Sequence, residues 1–222
     1  MLRQFRNSYL TAPVFVRRAY TAMAALDGDE YRARGAGVKE LVEEAMPLAA
    51  LLKHLENPEL CVLCKYVGGN ANHDARLRLS GVPVDQGFFE KDYFVEVTSA
   101  LSPLDFLRRE ALTSYGSVFG GPEIKRVRSR KRGVNEIVSQ AAAQDMDSPL
   151  LEAITWVKER LSAKAEKQYP QPCILVVNVE PDRPLGLEEW AALARGVSGN
   201  VDRTKFKMTF IVEWYRNTAF LI

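Results

Sequence analysis

The chain has 222 residues, of which 47% are apolar and 26% are charged. This composition is typical of a globular protein and excludes disordered, collagen-like and disulfide-scaffold classes. Thirty basic against 28 acidic residues give a formal net charge of +2, which is too small to indicate nucleic acid or membrane as a partner by itself. The length fits one domain, or a core with an appendage.

Three cysteines are too few and too uneven for a disulfide framework, and no apolar run approaches the roughly 18 to 20 residues of a transmembrane helix. Arg3 and Arg6 look like the basic start of an export signal. The segment that follows, Leu10–Leu26, is interrupted by Pro13 and by two arginines, so it lacks the apolar stretch that such a signal needs. We therefore expect a cytoplasmic protein with reduced thiols and no membrane partner.

Residues 1–56 are predicted to form an N-terminal helical extension packed on the core. Apolar residues between Phe15 and Met23 share one helical face, and Asp27–Asp29 is expected to close this helix. A second apolar stripe runs over Val38–Leu55, in which Pro47 predicts a kink or a break between two shorter helices.

The apolar period then changes to that of β-strands. Leu60–Val67, Ala75–Leu79 and Tyr93–Val97 are predicted strands. The links between them, Gly68-Gly69-Asn70 and Ser80-Gly81-Val82-Pro83, are short and have turn chemistry. Such short links predict an antiparallel three-stranded meander.

The rest of the chain predicts an α/β domain over residues 57–222. In chain order, its further elements are a helix over 104–115, a helix from Ile137 onward, a long helix opened by Ser148-Pro149, a strand over Ile174–Val179, a helix over Leu187–Val197, and strands over Lys207–Glu213 and Ala219–Ile222. This order, α-β-β-β-α-α-β-α-β-β, predicts a mixed β-sheet flanked by helices.

Two acidic residues on neighbouring strands form the pattern with the clearest chemical meaning. Asp74 lies in Asn72-His73-Asp74-Ala75-Arg76-Leu77, and Glu96 follows 22 residues later within Tyr93–Thr98. A buried carboxylate requires a compensating partner, and two converging carboxylates can hold Mg²⁺ or Mn²⁺ through hard oxygen ligands. The alternative is structural: Asp74 caps a turn, and Glu96 pairs with Arg76 or Arg78 across the sheet.

These residues and the order of the elements resemble the core of the PD-(D/E)XK nuclease superfamily, the restriction-endonuclease-like fold, over roughly Val38–Val179. The resemblance implies that Asp74 and Glu96 hold the metal ion and take part in catalysis. It also implies a third acidic residue from the preceding helix, with Glu40 as the first candidate and Glu43 or Glu44 as the fallback.

One position departs from the family pattern. Thr98 stands two residues after Glu96, where the family has a catalytic lysine. In some members a neighbouring helix supplies that lysine, so the resemblance makes Lys164 and Lys167 candidates for the role. Thr98 itself could bind water but could not supply a positive charge. The structural alternative for both lysines is a solvated helix C-terminus, where cations are favoured by the helix dipole.

The resemblance implies a Mg²⁺-dependent endonuclease that hydrolyses phosphodiester bonds in nucleic acid, DNA rather than RNA. A second copy of the chain is an expected partner if two copies pair to cut both strands. A Gly-flanked basic run could neutralise several backbone phosphates, and its cations are Lys125, Arg126, Arg128, Arg130, Lys131 and Arg132. The alternative function is a non-catalytic nucleic-acid- or protein-binding module built on a degenerate nuclease fold.

The cysteines and the tryptophans predict packing, and one histidine adjoins the acidic pair. Cys61 and Cys64 have metal-like spacing, but residues three apart on a strand face opposite sides, so we expect them and Cys173 in the core. The three tryptophans are also expected in the core. His73 adjoins Asp74 and could contact a phosphate, although a role in a turn or at the rim is the alternative.

Overall fold

A seven-stranded mixed sheet with helices on both faces organises the protein, as the composition and periodicity predict. The computed structural model describes residues 3–69, 71–116, 124–128, 135–139, 148–181 and 183–222. Within these ranges, no helix is long and apolar enough to cross a membrane.

The strands confirm the predicted meander and the predicted C-terminal strands, with shifted ends. They are β1 (Leu10–Thr11), β2 (Leu60–Tyr66), β3 (Ala75–Gly81), β4 (Asp92–Leu101), β5 (Ile124–Arg128), β6 (Asn135–Ser139), β7 (Cys173–Glu180), β8 (Met208–Glu213) and β9 (Thr218–Leu221). The sheet order is β1-β2-β3-β4-β7-β8-β9, and β5 and β6 form a separate hairpin. β4, β7 and β8 are parallel to one another, and the other neighbours in the sheet are antiparallel.

The helices lie mainly where apolar stripes predict them. They are α1 (Arg3–Arg6), α2 (Ala12–Ala24), α3 (Gly28–Ala33), α4 (Ala36–Glu40), α5 (Met46–His54), α6 (Val82–Asp85), α7 (Asp105–Tyr115), α8 (Ser148–Ala165) and α9 (Leu187–Ser198). α8 connects the hairpin to β7, and α9 connects β7 to β8, so both parallel neighbours are reached through a helix.

Each face of the sheet has its own apolar core. Ile174 and Val176 of β7 pack with α2 and α5, whereas Leu175 and Val177 pack with α8 and α9. All four side chains are fully buried. The continuous apolar run of β7 is therefore explained by helices on both faces.

The N-terminal segment differs from its prediction at three places. Residues Leu10–Thr11 of the predicted helical extension form β1, which pairs with β2 at the edge of the sheet. Asp27 does not close α2: it begins α3, where its carboxylate accepts a hydrogen bond from the Glu30 N–H at 2.7 Å in a capping box. The break expected at Pro47 is a π-helical segment, Leu41–Ala45, which joins α4 to α5 directly before that proline.

The helix predicted from Ile137 onward is wrong over 137–139, and residues 140–147 of that prediction lie outside the described residues. Ile137 lies in β6 and pairs with Arg126 of β5 in an antiparallel ladder. Ile137 and Val138 are β-branched, and such side chains favour a strand when a partner strand is available.

A buried arginine ties the N-terminal segment to the sheet. Arg34 follows α3 with a φ of 43°, and its side chain is only 3% exposed. Its guanidinium group lies 3.2 Å from the carboxylate of Glu43 in the π segment and 3.2 Å from that of Glu180 at the end of β7. One cation therefore joins three elements of the fold.

Replacing this cation is expected to destabilise the protein strongly. Arg34→Met leaves the carboxylates of Glu43 and Glu180 facing each other without compensation, so the free energy of unfolding should fall by about 3 kcal/mol. Arg78→Met is the matched control, because its ion pair with Asp92 is half exposed and should change stability by less than about 1 kcal/mol. Chemical denaturation measures both, and equal midpoints for the two variants would contradict the assignment.

Candidate functional site

The site lies where β4 extends beyond its neighbour β3. Pairing of β3 with β4 ends at Val95, whereas pairing of β7 with β4 continues to Leu101. The N–H groups of β4 beyond Val95 on the β3 side therefore need partners from outside the ladder.

Asp74 supplies one of these partners. It directly precedes β3, and its N–H donates to the Val95 carbonyl at 2.8 Å. Its carboxylate accepts a hydrogen bond from the Val97 N–H at 2.7 Å. Asp74 therefore lies against the stretch of β4 that carries Glu96. The alternative in which its side chain caps a turn is wrong, because the carboxylate bonds to the neighbouring strand.

Glu96 is paired with a lysine from the covering helix. Its side chain is 10% exposed, and its carboxylate forms an ion pair with the Lys164 ammonium of α8, which is 15% exposed. The alternative pairing of Glu96 with Arg76 or Arg78 is wrong. Arg78 pairs with Asp92 at 3.0 Å, and Arg76 donates to the imidazole of His73 at 3.1 Å.

A third carboxylate near Asp74 and Glu96 is that of Glu44, which lies in the π segment. Glu44 accepts a hydrogen bond from the buried hydroxyl of Tyr66 at 2.5 Å, and its charge acts on Asp74. Glu40, the first candidate from the sequence, lies at the end of α4 and pairs with Arg6 at 2.8 Å. Glu43 pairs with Arg34.

Two carboxyl groups of this site, those of Asp74 and Glu44, have a raised pKa. Burial raises the pKa of Asp74 to about 7, and the charges of Glu96 and Glu44 add to this effect. The Val97 N–H and the Lys164 ammonium act in the opposite direction. Burial also raises the pKa of Glu44. The hydrogen bond from Tyr66 lowers this pKa, and the charges of Glu40, Glu96 and Glu43 raise it. The side chains thus concentrate negative charge that a cation would relieve.

These side chains offer the oxygen ligands that Mg²⁺ prefers. Burial, together with the charges of Glu96 and Glu44, raises the pKa of Asp74 to about 7, and a bound divalent cation would offset the part of this effect that comes from the neighbouring negative charges. Among the described residues, no three His, Cys, Asp or Glu side chains are already grouped as a complete ligand set. A cation would therefore have to complete its coordination with water and substrate oxygens, as Mg²⁺ commonly does.

A cleft of about 360 Å³ opens beside this group. Its wall carries side chains of both charges together with two hydroxyls. It is lined by Lys39, Glu43, Glu44, Val97, Thr98, Ser99, Leu101 and Arg160. Thr98 lies here, two residues beyond Glu96, and so is within the candidate site although it carries no charge.

The two candidate lysines have different environments. Lys164 lies within the site, so the alternative of a solvated helix C-terminus is wrong for it. Lys167 follows α8 and is exposed, which is consistent with that alternative.

His73 is buried, with 5% exposure. Its Nδ1 lies 3.0 Å from the side-chain oxygen Oδ1 of Asn72, and its Nε2 accepts a hydrogen bond from the Arg76 guanidinium. Burial, and then the charge of Arg76, lower the pKa of His73. The imidazole is thus a neutral, internally bonded group at neutral pH.

The basic run falls partly in the β5–β6 hairpin. Lys125 and Arg126 are exposed on β5, and Arg126 pairs with Glu110 of α7 at 2.5 Å. Arg128 is the last residue of β5, but its side chain is outside the described part of the structure. The other cations of the run, Arg130, Lys131 and Arg132, lie outside the described residues.

The packing predictions are confirmed with one exception. Cys64 and Cys173 are fully buried, but Cys61 is exposed, so its assignment to the core is wrong. The same difference confirms that the two residues of the Cys61/Cys64 pair face opposite sides of β2. Trp156, Trp190 and Trp214 are buried.

Two cleft cations were not predicted from the sequence. Arg160 lies one helical turn before Lys164 on α8, and this i, i+4 spacing was a usable signal once Lys164 was a candidate. Lys39 precedes the π segment, and nothing in its sequence context distinguishes it from other surface lysines.

No family model, no curated protein and no solved structure matches the chain.

Proposed function

We propose that the protein is a metal-dependent nuclease that hydrolyses phosphodiester bonds in nucleic acid. The observation that carries this proposal is the convergence of Asp74, Glu96 and Lys164 from β3, β4 and α8. Two carboxylates and a mostly buried lysine from separate elements form a charged group that structural packing alone does not require.

The arrangement of the elements supports the same proposal. β2, β3 and β4 form an antiparallel meander, and β7 pairs in parallel with β4 after α8. This is the order that a PD-(D/E)XK core would have. Lys164 then stands in the place of the lysine that the motif lacks at Thr98.

Asp74 and Glu96 would hold Mg²⁺ or Mn²⁺, with Glu44 within electrostatic reach. When bound, the cation supplies Lewis-acid polarisation of a phosphoryl oxygen and lowers the pKa of a coordinated water. The Lys164 ammonium offsets negative charge that develops on the phosphoryl group and holds Glu96 in place. The Thr98 hydroxyl, at the cleft, can bind water or a phosphate oxygen.

The substrate in this proposal is nucleic acid, with DNA preferred to RNA. Lys125 and Arg126 expose positive charge on the hairpin, where backbone phosphates can bind without sequence preference.

Cleavage of supercoiled DNA in Mg²⁺ or Mn²⁺ tests the function, with single-stranded RNA assayed in the same buffers. Strand scission that requires the metal and is lost in Glu96→Gln is the expected result. Metal-independent retention of DNA on the protein, without scission, would instead favour the non-catalytic binding module.

The metal-free protein is expected to lose stability as the pH rises from about 4 to about 7. The pKa of Asp74 is about 7 in the folded protein against an ordinary value of 3.8, so folding favours the protonated carboxyl. That stabilisation is complete below the unfolded pKa and is lost as pH rises through the folded pKa, by at most about 4 kcal/mol. Thermal unfolding in EDTA across this range measures the loss.

Cation binding at the same carboxylate must compete with the proton. Affinity for Mg²⁺ should therefore increase up to about pH 7, and binding should release protons. Asp74→Asn serves as the reference, because the difference between its pH dependence and that of the wild type reports the contribution of the Asp74 carboxyl alone. The same pH slope of stability in both proteins would contradict the raised pKa.

A further inference from the structure

The cleft beside the carboxylates contains two cations that no acidic side chain of the described residues neutralises. Lys39 of α4 and Arg160 of α8 both line it and both are exposed. The nearby carboxylates have other partners: Glu43 pairs with Arg34, and Glu44 accepts from Tyr66. The two cations are therefore available to an anionic ligand.

The helix geometry separates the roles of the cations on α8. Lys164 and Arg160 are four residues apart and so lie on one face of the helix. Lys164 is engaged by Glu96, whereas Arg160 lies one turn away beside Thr98 in the cleft. Thr98 is itself about 7 Å further along β4 than Glu96. Arg160 and Lys39 thus lie next to the carboxylates of Asp74 and Glu96, but further along β4.

We propose that Arg160 and Lys39 bind a phosphate adjacent to the one that is cleaved. An arginine guanidinium can hold a phosphate through two parallel hydrogen bonds, and a lysine adds a point charge. The substrate then needs at least two consecutive phosphodiester links, so it is an oligonucleotide rather than a single diester. This inference rests on the proposed nuclease function.

The size of the cleft limits what it can hold. A volume of about 360 Å³ is that of a small-molecule site, so it holds a segment of one strand. Short single-stranded DNA is therefore the appropriate probe.

Binding in EDTA tests the inference without requiring cleavage. Affinity for a fluorescent single-stranded DNA is measured between about 50 and 200 mM salt. Arg160→Gln and Lys39→Gln should each weaken binding by about tenfold and reduce the salt slope by about 0.7, the value for one lost contact to a single strand. The control is Lys158→Gln on the same helix, two residues from Arg160 and hence on another face; it should bind as wild type does.

Kinetics give a second readout that a general structural defect would not produce. The ratio of kcat/KM for the oligonucleotide to that for bis(p-nitrophenyl) phosphate, which has a single diester, should fall at least about tenfold in Arg160→Gln. Wild-type affinity and salt slope in both variants would overturn the inference, as would absence of DNA binding by the wild type. Loss of DNA affinity in the variants of a protein that never cleaves would support the phosphate contact of Arg160 and Lys39 but refute the nuclease and with it the position next to a cleaved phosphate.

Discussion

Asp74→Asn is expected to make the metal-free protein more stable while it abolishes cleavage. The asparagine can still accept the Val97 hydrogen bond but carries no charge beside Glu96 and Glu44. At pH 8 in EDTA, the free energy of unfolding should rise by about 1 to 3 kcal/mol, which raises Tm by roughly 2 to 12 °C for a chain of this size. Cleavage should fall by at least about 1,000-fold, because the metal loses a ligand.

The matched control for this variant is Asp92→Asn. Asp92 begins β4, the strand that carries Glu96, but its pair with Arg78 is half exposed, so its neutralisation should change stability by less than about 1 kcal/mol and leave cleavage intact. Differential scanning calorimetry of the wild type and both variants, with and without Mg²⁺, gives the six curves that the comparison needs. An Asp74→Asn protein that is less stable than wild type in EDTA, and that is stabilised by Mg²⁺ to the same extent, would refute a charge-strained metal site.

Lys164→Met is expected to lower cleavage by about 100- to 1,000-fold, the usual effect of removing one group that stabilises transition-state charge. The change also leaves Glu96 in a mostly buried position without its cation, so the metal-free protein should lose about 2 to 4 kcal/mol of stability. Divalent cations should replace the missing charge. Stabilisation by Mg²⁺ should therefore be larger in this variant than in the wild type.

The control for the lysine is Lys167→Met, three residues further along the chain and exposed. It should retain wild-type cleavage and stability. Activity is compared at saturating metal, so that a change in metal affinity does not appear as a change in kcat. A Lys164→Met protein that cleaves within a few-fold of wild type would show that the ion pair with Glu96 serves packing alone.

The antiparallel meander and the buried strand β7 are predictable from local chemistry. Gly68-Gly69-Asn70 predicts the turn between β2 and β3, and the continuous apolar run of Ile174–Val179 predicts a strand buried on both faces. The short turn predicted over 80–83 is wrong, because β3 continues to Gly81 and the connection over 82–91 contains α6. The hairpin strand around Ile137 is not predictable in this way, because five residues show no period and the pairing with Arg126 depends on tertiary contact.

The acidic residue of the N-terminal helices illustrates a limit of helical periodicity. A regular helix from Val38 to Leu55 gives Glu40 and Glu44 the same face, one turn apart, and does not distinguish them. The π segment Leu41–Ala45 changes the number of residues per turn at exactly this place. Glu44 consequently reaches Tyr66 and the carboxylate group, while Glu40 pairs with Arg6.

The lysine of the site is recognisable only in part. The departure at Thr98 directs attention to lysines near the following strand, and Lys164 is one of two candidates there. The choice between Lys164 and Lys167 depends on which of the two side chains is turned toward β4. This contact joins Lys164 to Glu96, which are 68 residues apart in the sequence. That rotation is set by the packing of Trp156, Val157 and Leu161 in the core, which sequence spacing does not fix closely enough.

Calorimetric titration of the wild type and of Asp74→Asn with Mn²⁺ at pH 7 distinguishes a metal centre from a purely structural ion pair. We expect saturable binding to the wild type, with protons released in proportion to the protonated fraction of Asp74, and loss of that binding in the variant. Identical isotherms for the two proteins, or no heat of binding in either, would contradict a metal centre built on Asp74 and Glu96.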